Sequence, residues 1–363
     1  MKKLLSVFLV LVLTLSLAGC GSSNDGTQQA STSSDAGSTP AESSTPAESS
    51  SQEADKPQYT FTIGTSATAA SIIGQTAQYF ADLVEEKSNG AIVVQCYTDS
   101  QLGSDSELVE GVQMGTITMV IGSTAPQASF ISDLALFDLP QVYDSIETAY
   151  TVVPSFKDTM ASSFEDSNIH LGSLFATVFR WMSSSKEITT LEDFRGIKIR
   201  TMENPYHMTY WNSLGCTATP LAFSELYMGL QQGVVGAQEN PLDIFMSSNF
   251  YEVQDYVVLT KHIAFTATIL MNDKAYNDLP AEYQDIMDEC FALAEAYGQD
   301  YALQVETENL GKIEAEGITV IELDDTVYAQ MKEASSEVES MVRSAVGDEL
   351  VDAYLAAIAA ASK

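Results

Sequence analysis

From Tyr59 onward the hydrophobic pattern of this chain switches repeatedly between two periods. YTFTIG at Tyr59–Gly64 alternates as a strand does, and Ile72–Lys87 then sets Ala77, Phe80, Ala81 and Val84 on one side of a helix. Asn89-Gly90 marks a turn. Residues 91–97 read as a second strand, 106–114 as a helix with acidic residues early in it, and 116–121 as a third strand. This order argues for an α/β sheet with parallel strands.

A second alternating block begins at Ile169 (IHLGSLFATVF), continues through 196–200, and predicts helices over 206–214 and 224–232. Residues 281–316 form one long helical pattern with Gly298 as a soft point. A helix of that length exceeds one small domain and can bridge two. About 300 residues are enough for two domains with real cores. No internal repeat is evident, and nothing from Tyr59 to the end is long and apolar enough to cross a membrane.

The first residues, MKKLLSVFLVLVLTLSLAGC, carry two lysines, an apolar run too short for a comfortable lone span, and then Leu17-Ala18-Gly19-Cys20. This is an export signal over 1–19. Leu-Ala-Gly-Cys resembles the bacterial lipobox, whose cysteine is lipidated and becomes the first mature residue. In the plainer reading, Cys20 stays free and the protein diffuses. Residues 21–57 are dominated by Ser, Thr, Ala, Gly, Pro, Gln and Glu without an aromatic residue, so 20–57 is expected to be a lipidated cysteine and a disordered tether. Such a coil reaches about 35 Å. The expected location is extracytoplasmic, lipid-anchored to the cell membrane.

The formal net charge is −34, and removing the leader takes away Lys2 and Lys3 but no acid. Nucleic acid and anionic headgroups, which need clustered cations at the contact, are therefore not the partners. Cys96, Cys216 and Cys290 lie far apart and in no metal-ligand spacing, and read as buried small hydrophobes, a disulfide between two of them being the alternative.

Catalytic signals are weak. Ser183-Ser184-Ser185-Lys186 matches Ser-x-x-Lys, but its Ser-Asp-Asn and Lys-Thr-Gly companions are missing, and a serine run after a strand is usually a solvated loop. His170, His207 and His262 are isolated from one another, with no His-Glu-x-x-His helix, and read as ordinary hydrogen-bonded side chains. There is no phosphate-cradling glycine loop and no Gly-x-Ser-x-Gly. No cofactor, metal or catalytic residue is expected.

The cations are more informative. Of four arginines, Arg180, Arg195 and Arg200 fall between positions 180 and 200. In Gly196-Ile197-Lys198-Ile199-Arg200 the two isoleucines share one face and Lys198 and Arg200 the other, with Arg200 at the strand end, which in open α/β sheets borders the ligand crevice. Arg180 likewise ends the apolar run 174–179, against Trp181. A guanidinium offers a planar fork that matches a carboxylate, so Arg200 is suited to grip an acid. Equally, both arginines could pair with surface carboxylates and contribute little.

SQLGSDSELVEGVQMGTITMVIGS, FDLP, LEDFRGIKIR and LGCTATPLAFSELYMGLQQGVVGAQENP, in that order, resemble the extracytoplasmic solute-binding subunits of TRAP transporters, the tripartite ATP-independent periplasmic carriers. The likeness runs from about Tyr59 nearly to the end. It implies a two-lobed, periplasmic-binding-protein-like α/β fold with a hinge and a long domain-spanning helix, lobe I being 58–176 plus 265–303 and lobe II 177–264 plus 304–363. It implies capture of a small organic acid, which is delivered to small and large membrane subunits for ion-gradient-driven uptake. Arg200 would then form the carboxylate salt bridge, Arg180 a further contact, and Asn240 the group that orients the carboxylate. Ser66, Asp105 and the segment around Gly122 match cleft-facing positions. Phe223 and Trp181 would suit a ligand with an apolar body, or belong to the core.

Two departures stand out. Val235-Gly236-Ala237 lacks the family's usual aspartate before Gln-Glu-Asn-Pro, and Gly122 stands where the sialic-acid-binding branch carries a glutamate, which favours a simpler organic acid. A lipoprotein feeding a membrane sensor, and a secreted enzyme on a similar scaffold, remain alternatives.

Overall fold

A computed structural model of the chain describes residues 57–363. The export signal over 1–19, Cys20 and the tether as far as residue 56 lie outside the described residues.

The first strands are β1 (Tyr59–Gly64), β2 (Ile92–Tyr97) and β3 (Met119–Ser123), parallel and in the order β2-β1-β3. The helix Ile72–Lys87 starts where the Ser71 side chain accepts the Gly74 amide, and buries Ile73, Ala77, Phe80, Ala81 and Val84. The helix Asp105–Met114 starts on a reciprocal Ser104–Glu107 capping box. It ends at Gly115, whose φ of 76° lets the chain reverse so that the Thr116 and Ile117 amides bond to the Gly111 carbonyl. That reversal uses up the residues expected to open the third strand, so β3 begins at Met119 rather than 116.

The long strand β4 (Ile169–Ser184) is followed by β5 (Lys198–Thr201), β6 (Thr217–Pro220) and β7 (Ala237–Asn240), then by a second long strand, β8 (Tyr256–Asn272), and by β9 (Thr319–Ile321). One nine-stranded sheet results, ordered β2-β1-β3-β8-β4-β7-β5-β6, with β9 on β8. The expectation of parallel strands holds in the flanks and for β9 on β8. At the centre β4 and β8 form an antiparallel ribbon, with β3 pairing antiparallel to 267–271 of β8 and β7 antiparallel to 181–184 of β4. Both lobes thus hang on one shared pair of strands. β4 and β8 are almost continuously buried, as covered strands are, so β8 shows no alternation from which to read it.

The β4–β8 register slips between Leu171 and Ser173, Ala176 and Phe179, and Arg180 and Met182. Each irregularity bends the ribbon and adds local twist. At the first, Gly172 lets the long helix settle: a Cβ there would lie 2.6 Å from the Phe291 ring.

That helix, Ala281–Ala315, runs unbroken for 35 residues, about 50 Å. Its buried side chains recur every three or four residues from Met287 through Phe291, Ala294, Gly298, Ala302 and Val305 to Ile313, which makes one stripe. The stripe lies on the helix Ile72–Lys87 and β4 at one end and on the helix Leu242–Ser247 and β9 at the other. Phe80 stacks on Phe291 (centroids 5.0 Å) and Tyr79 on Tyr297 (4.0 Å). Gly298 is a close-packing point rather than a soft one, since a Cβ there would lie 3.0 Å from both Phe175 and Thr76. Cys96, Cys216 and Cys290 are free thiols, and burial raises them to about 11, 12 and 11. No helix among the described residues is long and apolar enough to cross a membrane.

Two carboxyls on this helix are set against the protein interior. Burial raises Glu295 and Glu306 to about 7, and Glu306 accepts a hydrogen bond from the Trp181 indole (2.9 Å) while its other oxygen has no partner.

Two outcomes are expected. Gly172→Ala should lose about 1–3 kcal/mol of stability, the scale of overpacking a filled core, as read by urea unfolding. A raised carboxyl binds its proton more tightly in the folded state, so its contribution is complete below the ordinary value and is lost as pH rises to about 7. Glu306→Gln, which can still accept from Trp181, should therefore melt progressively higher relative to the parent as pH goes from 5 to 8. A constant difference would show that Glu306 titrates normally.

Candidate ligand-binding site

Where the two parallel flanks meet the bent ribbon lies a small cavity of about 30 Å³, room for one or two waters as it stands. Ser66 follows β1, Asp105 opens the helix Asp105–Met114, and Gly122 belongs to β3. Facing them are Arg180 from β4, Arg200 from β5, Asn240 at the end of β7, and Phe223, which opens the helix Phe223–Gln231. Seven of the eight residues singled out in the sequence as contact candidates border this one space.

Trp181 does not. Successive strand residues project to opposite faces, so with Arg180 directed into the cavity Trp181 turns to the other side. There it borders a different surface pocket, donates to Glu306 and packs edge-on against Phe179. Arg195 is exposed and pairs with Glu192 three residues before it.

Both cavity arginines are only 1% exposed. The Arg200 Nε and Nη2 donate to the Leu221 carbonyl (3.0 and 2.7 Å), and its guanidinium lies 5.9 Å from the centroid of the Phe223 ring. Its Nη1 is buried with no partner. Burial lowers this guanidinium to about 10, with Arg180 adding to the effect and Glu239 and Asp105 opposing it, so it remains a cation at neutral pH.

Arg180 makes a bidentate pair with Glu239, at 2.5 Å from Nε and 2.9 Å from Nη2. Its Nη2 also donates to the Glu239 carbonyl (2.5 Å) and to Asn240 Oδ1 (3.0 Å), and its guanidinium stacks over Phe265 at 5.3 Å. Again Nη1 is buried and unpartnered. Asn240 is held at both ends, because its Nδ2 donates to Gln238 Oε1 (2.6 Å); a second Nδ2 proton remains.

The histidines, isolated along the chain, are not isolated in space. His262 of β8 lies 3.0 Å from Glu239 Oε2, and His207 lies 3.8 Å from Oε1 and 3.1 Å from Asp138. Burial alone would raise the Glu239 carboxyl, but the Arg180 charge, the nearby His207 and hydrogen bonds from His262 and Arg180 hold it well below the usual range. Burial also works to lower both imidazoles. In His207 the bond to Asp138 and the nearby Glu239 charge overcome it, reaching about 9, and in His262 the Glu239 contact does not. Glu239 is thus the residue that the sequence reading missed. Its signal was an acid inside a short, wholly buried strand, where a charge must find partners. His170 sits apart, stacked on Tyr276.

Other motifs resolve as structural. Ser183 accepts from Gln238 (2.8 Å) and donates to Gln254, while Lys186 is exposed, so Ser-x-x-Lys assembles no nucleophile. The turn lacking the usual aspartate closes through backbone bonds of Gly236 with Lys198 and Ser185. Polar bonds join the two flanks: Ile72 N–H to Asp243 Oδ2 (2.8 Å), Thr68 to Ser247 (2.8 Å) and Asn204 to the Ala125 carbonyl (2.8 Å).

Residues 63–343 match the family model described as bacterial extracellular solute-binding protein, family 7. A solute-binding protein of Verminephrobacter eiseniae is 31% identical over 73% of this chain and 80% of its own. The sugar-acid-binding protein of Advenella mimigardefordensis, solved with galactonate, superposes with a TM-score of 0.80 at 27% identity, covering 84% of this chain and 99% of that one. A TRAP periplasmic solute-binding protein of Desulfovibrio salexigens, solved with orotic acid, gives the same TM-score, identity and coverage. With most of its folded length matched by the family model, the chain belongs to family 7 of the bacterial extracellular solute-binding proteins.

Proposed function

We propose that this protein captures a small organic acid between its lobes, gripping the carboxylate on Arg200 with Arg180 assisting, and hands it to TRAP membrane subunits. One observation carries the reading: two buried guanidinium groups border one cavity, and each leaves Nη1 without a partner. An unpartnered buried cationic donor is costly, and an incoming carboxylate is the group that relieves it. The two solved relatives above were crystallised with galactonate and orotic acid, both carboxylates.

The mechanism follows from charge and burial. Glu239 neutralises Arg180 and fixes its plane, so the site is set before the ligand arrives. Asn240, locked between Arg180 and Gln238, has one amide proton left for the carboxylate. Phe223 and Phe265 supply apolar walls. In the open state water reaches the arginines, and the bound acid favours the closed state in which Asp243 and Ser247 meet the opposite lobe. The lobes are assigned to 58–176 plus 265–303 and 177–264 plus 304–363. The protein acts as a receptor without performing chemistry, and Cys20 carries a lipid that keeps it at the outer face of the membrane.

Arg200→Ala is expected to remove roughly 2–5 kcal/mol of acid binding, the range for truncating one partner of a buried charge pair, as read by titration calorimetry. In the ligand-free, open state water reaches Arg200, so the variant's ligand-free melting temperature should change little. Undiminished affinity would remove Arg200 from the site. Cys20→Ser should move the protein from the membrane fraction to the soluble one, and an unchanged distribution would rule out the anchor.

A further inference from the structure

One contact between the lobes is made by a carboxylate that burial leaves half satisfied. Asp243, in the helix Leu242–Ser247, is 6% exposed. Its Oδ2 accepts the Ile72 amide, the first of the helix Ile72–Lys87, at 2.8 Å, while its Oδ1 is buried with no partner. No lysine, arginine or histidine among the described residues forms an ion pair with it. The bond crosses from the lobe assigned to 177–264 to the one assigned to 58–176, so parting the lobes returns this carboxylate to water.

Both ends of the contact are tied stiffly to the ligand cavity. Asp243 follows Asn240 by three residues, across Pro241 with its fixed φ. On the other side Ser66, Ala67 and Ile73 border the cavity and flank Ile72 in sequence. There the loop folds hard back on the helix, since a Cβ on Gly74 would lie 2.2 Å from the Thr68 carbonyl oxygen. Closing the two segments on a ligand therefore also buries Asp243.

The surrounding charges do little to offset that burial. From the long helix come Glu306, a carboxyl that repels Asp243, and Tyr301 and Lys312, which share a surface pocket with it; Lys312 pairs with Glu308 at 3.4 Å. From β4 comes Arg180, which favours the ionised form but is already paired with Glu239. Residues 66–72 contain no titratable side chain. In the turn Phe250–Glu252, Glu252 accepts from Tyr227 and Tyr251 donates to Asn249. Set against desolvation are chiefly backbone amides, and burial prevails, raising the Asp243 carboxyl to about 6.

We infer that Asp243 couples closure of the lobes to uptake of a proton, so that the protein closes most readily and holds its acid most tightly with this carboxyl protonated. This deepens the acid-capture reading and rests on it and on the lobe assignment. In the open state Asp243 faces water and has an ordinary carboxylate value, whereas in the closed state it holds its proton more tightly. The closed form gains as pH falls through about 6, and the gain is complete below the ordinary value. A protonated carboxyl still keeps an oxygen for the Ile72 amide.

The test titrates the full chain by calorimetry with 2-hydroxybutanoate, benzoate, galactonate and orotate, acids that stay ionised at pH 5.5. Each titration is run at pH 7.5 and 5.5 in buffers of different ionisation heat. Any acid that binds should do so about four-fold more tightly at the lower pH, with uptake of roughly half a proton or more there and almost none at the higher. Asp243→Asn, which is neutral and keeps an oxygen for the Ile72 amide, should bind more tightly than the parent at pH 7.5 and lose most of the uptake. The remainder belongs to other groups that closure buries, Asp105 among them. No uptake by the parent at pH 5.5, or the same uptake in the variant, would overturn the inference and leave acid capture standing. Silence from every acid, in parent protein shown to melt cooperatively, would overturn both. Should Asp243→Asn fail to fold, Asp243→Ser, also neutral, takes its place under the same two outcomes.

Discussion

The Arg180–Glu239 pair is the interaction around which the rest of the molecule is arranged. Removing two ions from water costs several kcal/mol each, and mutual attraction repays that only when geometry is good and the remaining donors and acceptors are met. Here β4 supplies the arginine, β7 the glutamate, β8 one imidazole and the helix Pro205–Ser213 another. Four elements converge because one carboxylate needs them all. The same convergence aims the one Arg180 nitrogen that Glu239 cannot reach at the cavity.

The shared ribbon explains why a rigid charge cluster and a closable cleft can coexist. Register irregularities between Ala176 and Phe179 and between Arg180 and Met182 bend β4 beside the cavity that Arg180 borders. Polar contacts also join the two flanks, such as Asp243 on the first amide of the helix Ile72–Lys87. Contacts of this kind are individually worth about 0.5–1.5 kcal/mol, which suits an equilibrium that a ligand must be able to tip.

Much of this was legible in the sequence, for identifiable reasons. The outer strands and helices announced themselves through period, caps and Asn-Gly or Gly turns, because each has one solvated face. Arg200 was legible because cations are scarce in an acidic chain and this one ends an alternating strand. The ribbon was not: β8 is buried on both sides, so its pattern carries no period, and a mixed sheet looks locally parallel wherever helices intervene. The partnership of Glu239 with the two histidines escaped notice because it is purely spatial, assembled from β4, β7, β8 and the helix Pro205–Ser213. Trp181 went astray through adjacency, since sharing a sequence neighbourhood with Arg180 puts it on the opposite face.

The crossing of β4 and β8 between lobes also dictates an order of assembly. Strand β3 has no antiparallel neighbour until 267–271 arrive, and β8 lacks β9 until 319–321 follow. Neither lobe is therefore a contiguous piece of chain, and neither can finish while the ribosome is still making the second half. Until Asn272 has emerged, the edge of β3 stands open for mispairing. A polypeptide wired in this way gains little by folding early, and stays threadable for as long as an export channel needs it to be.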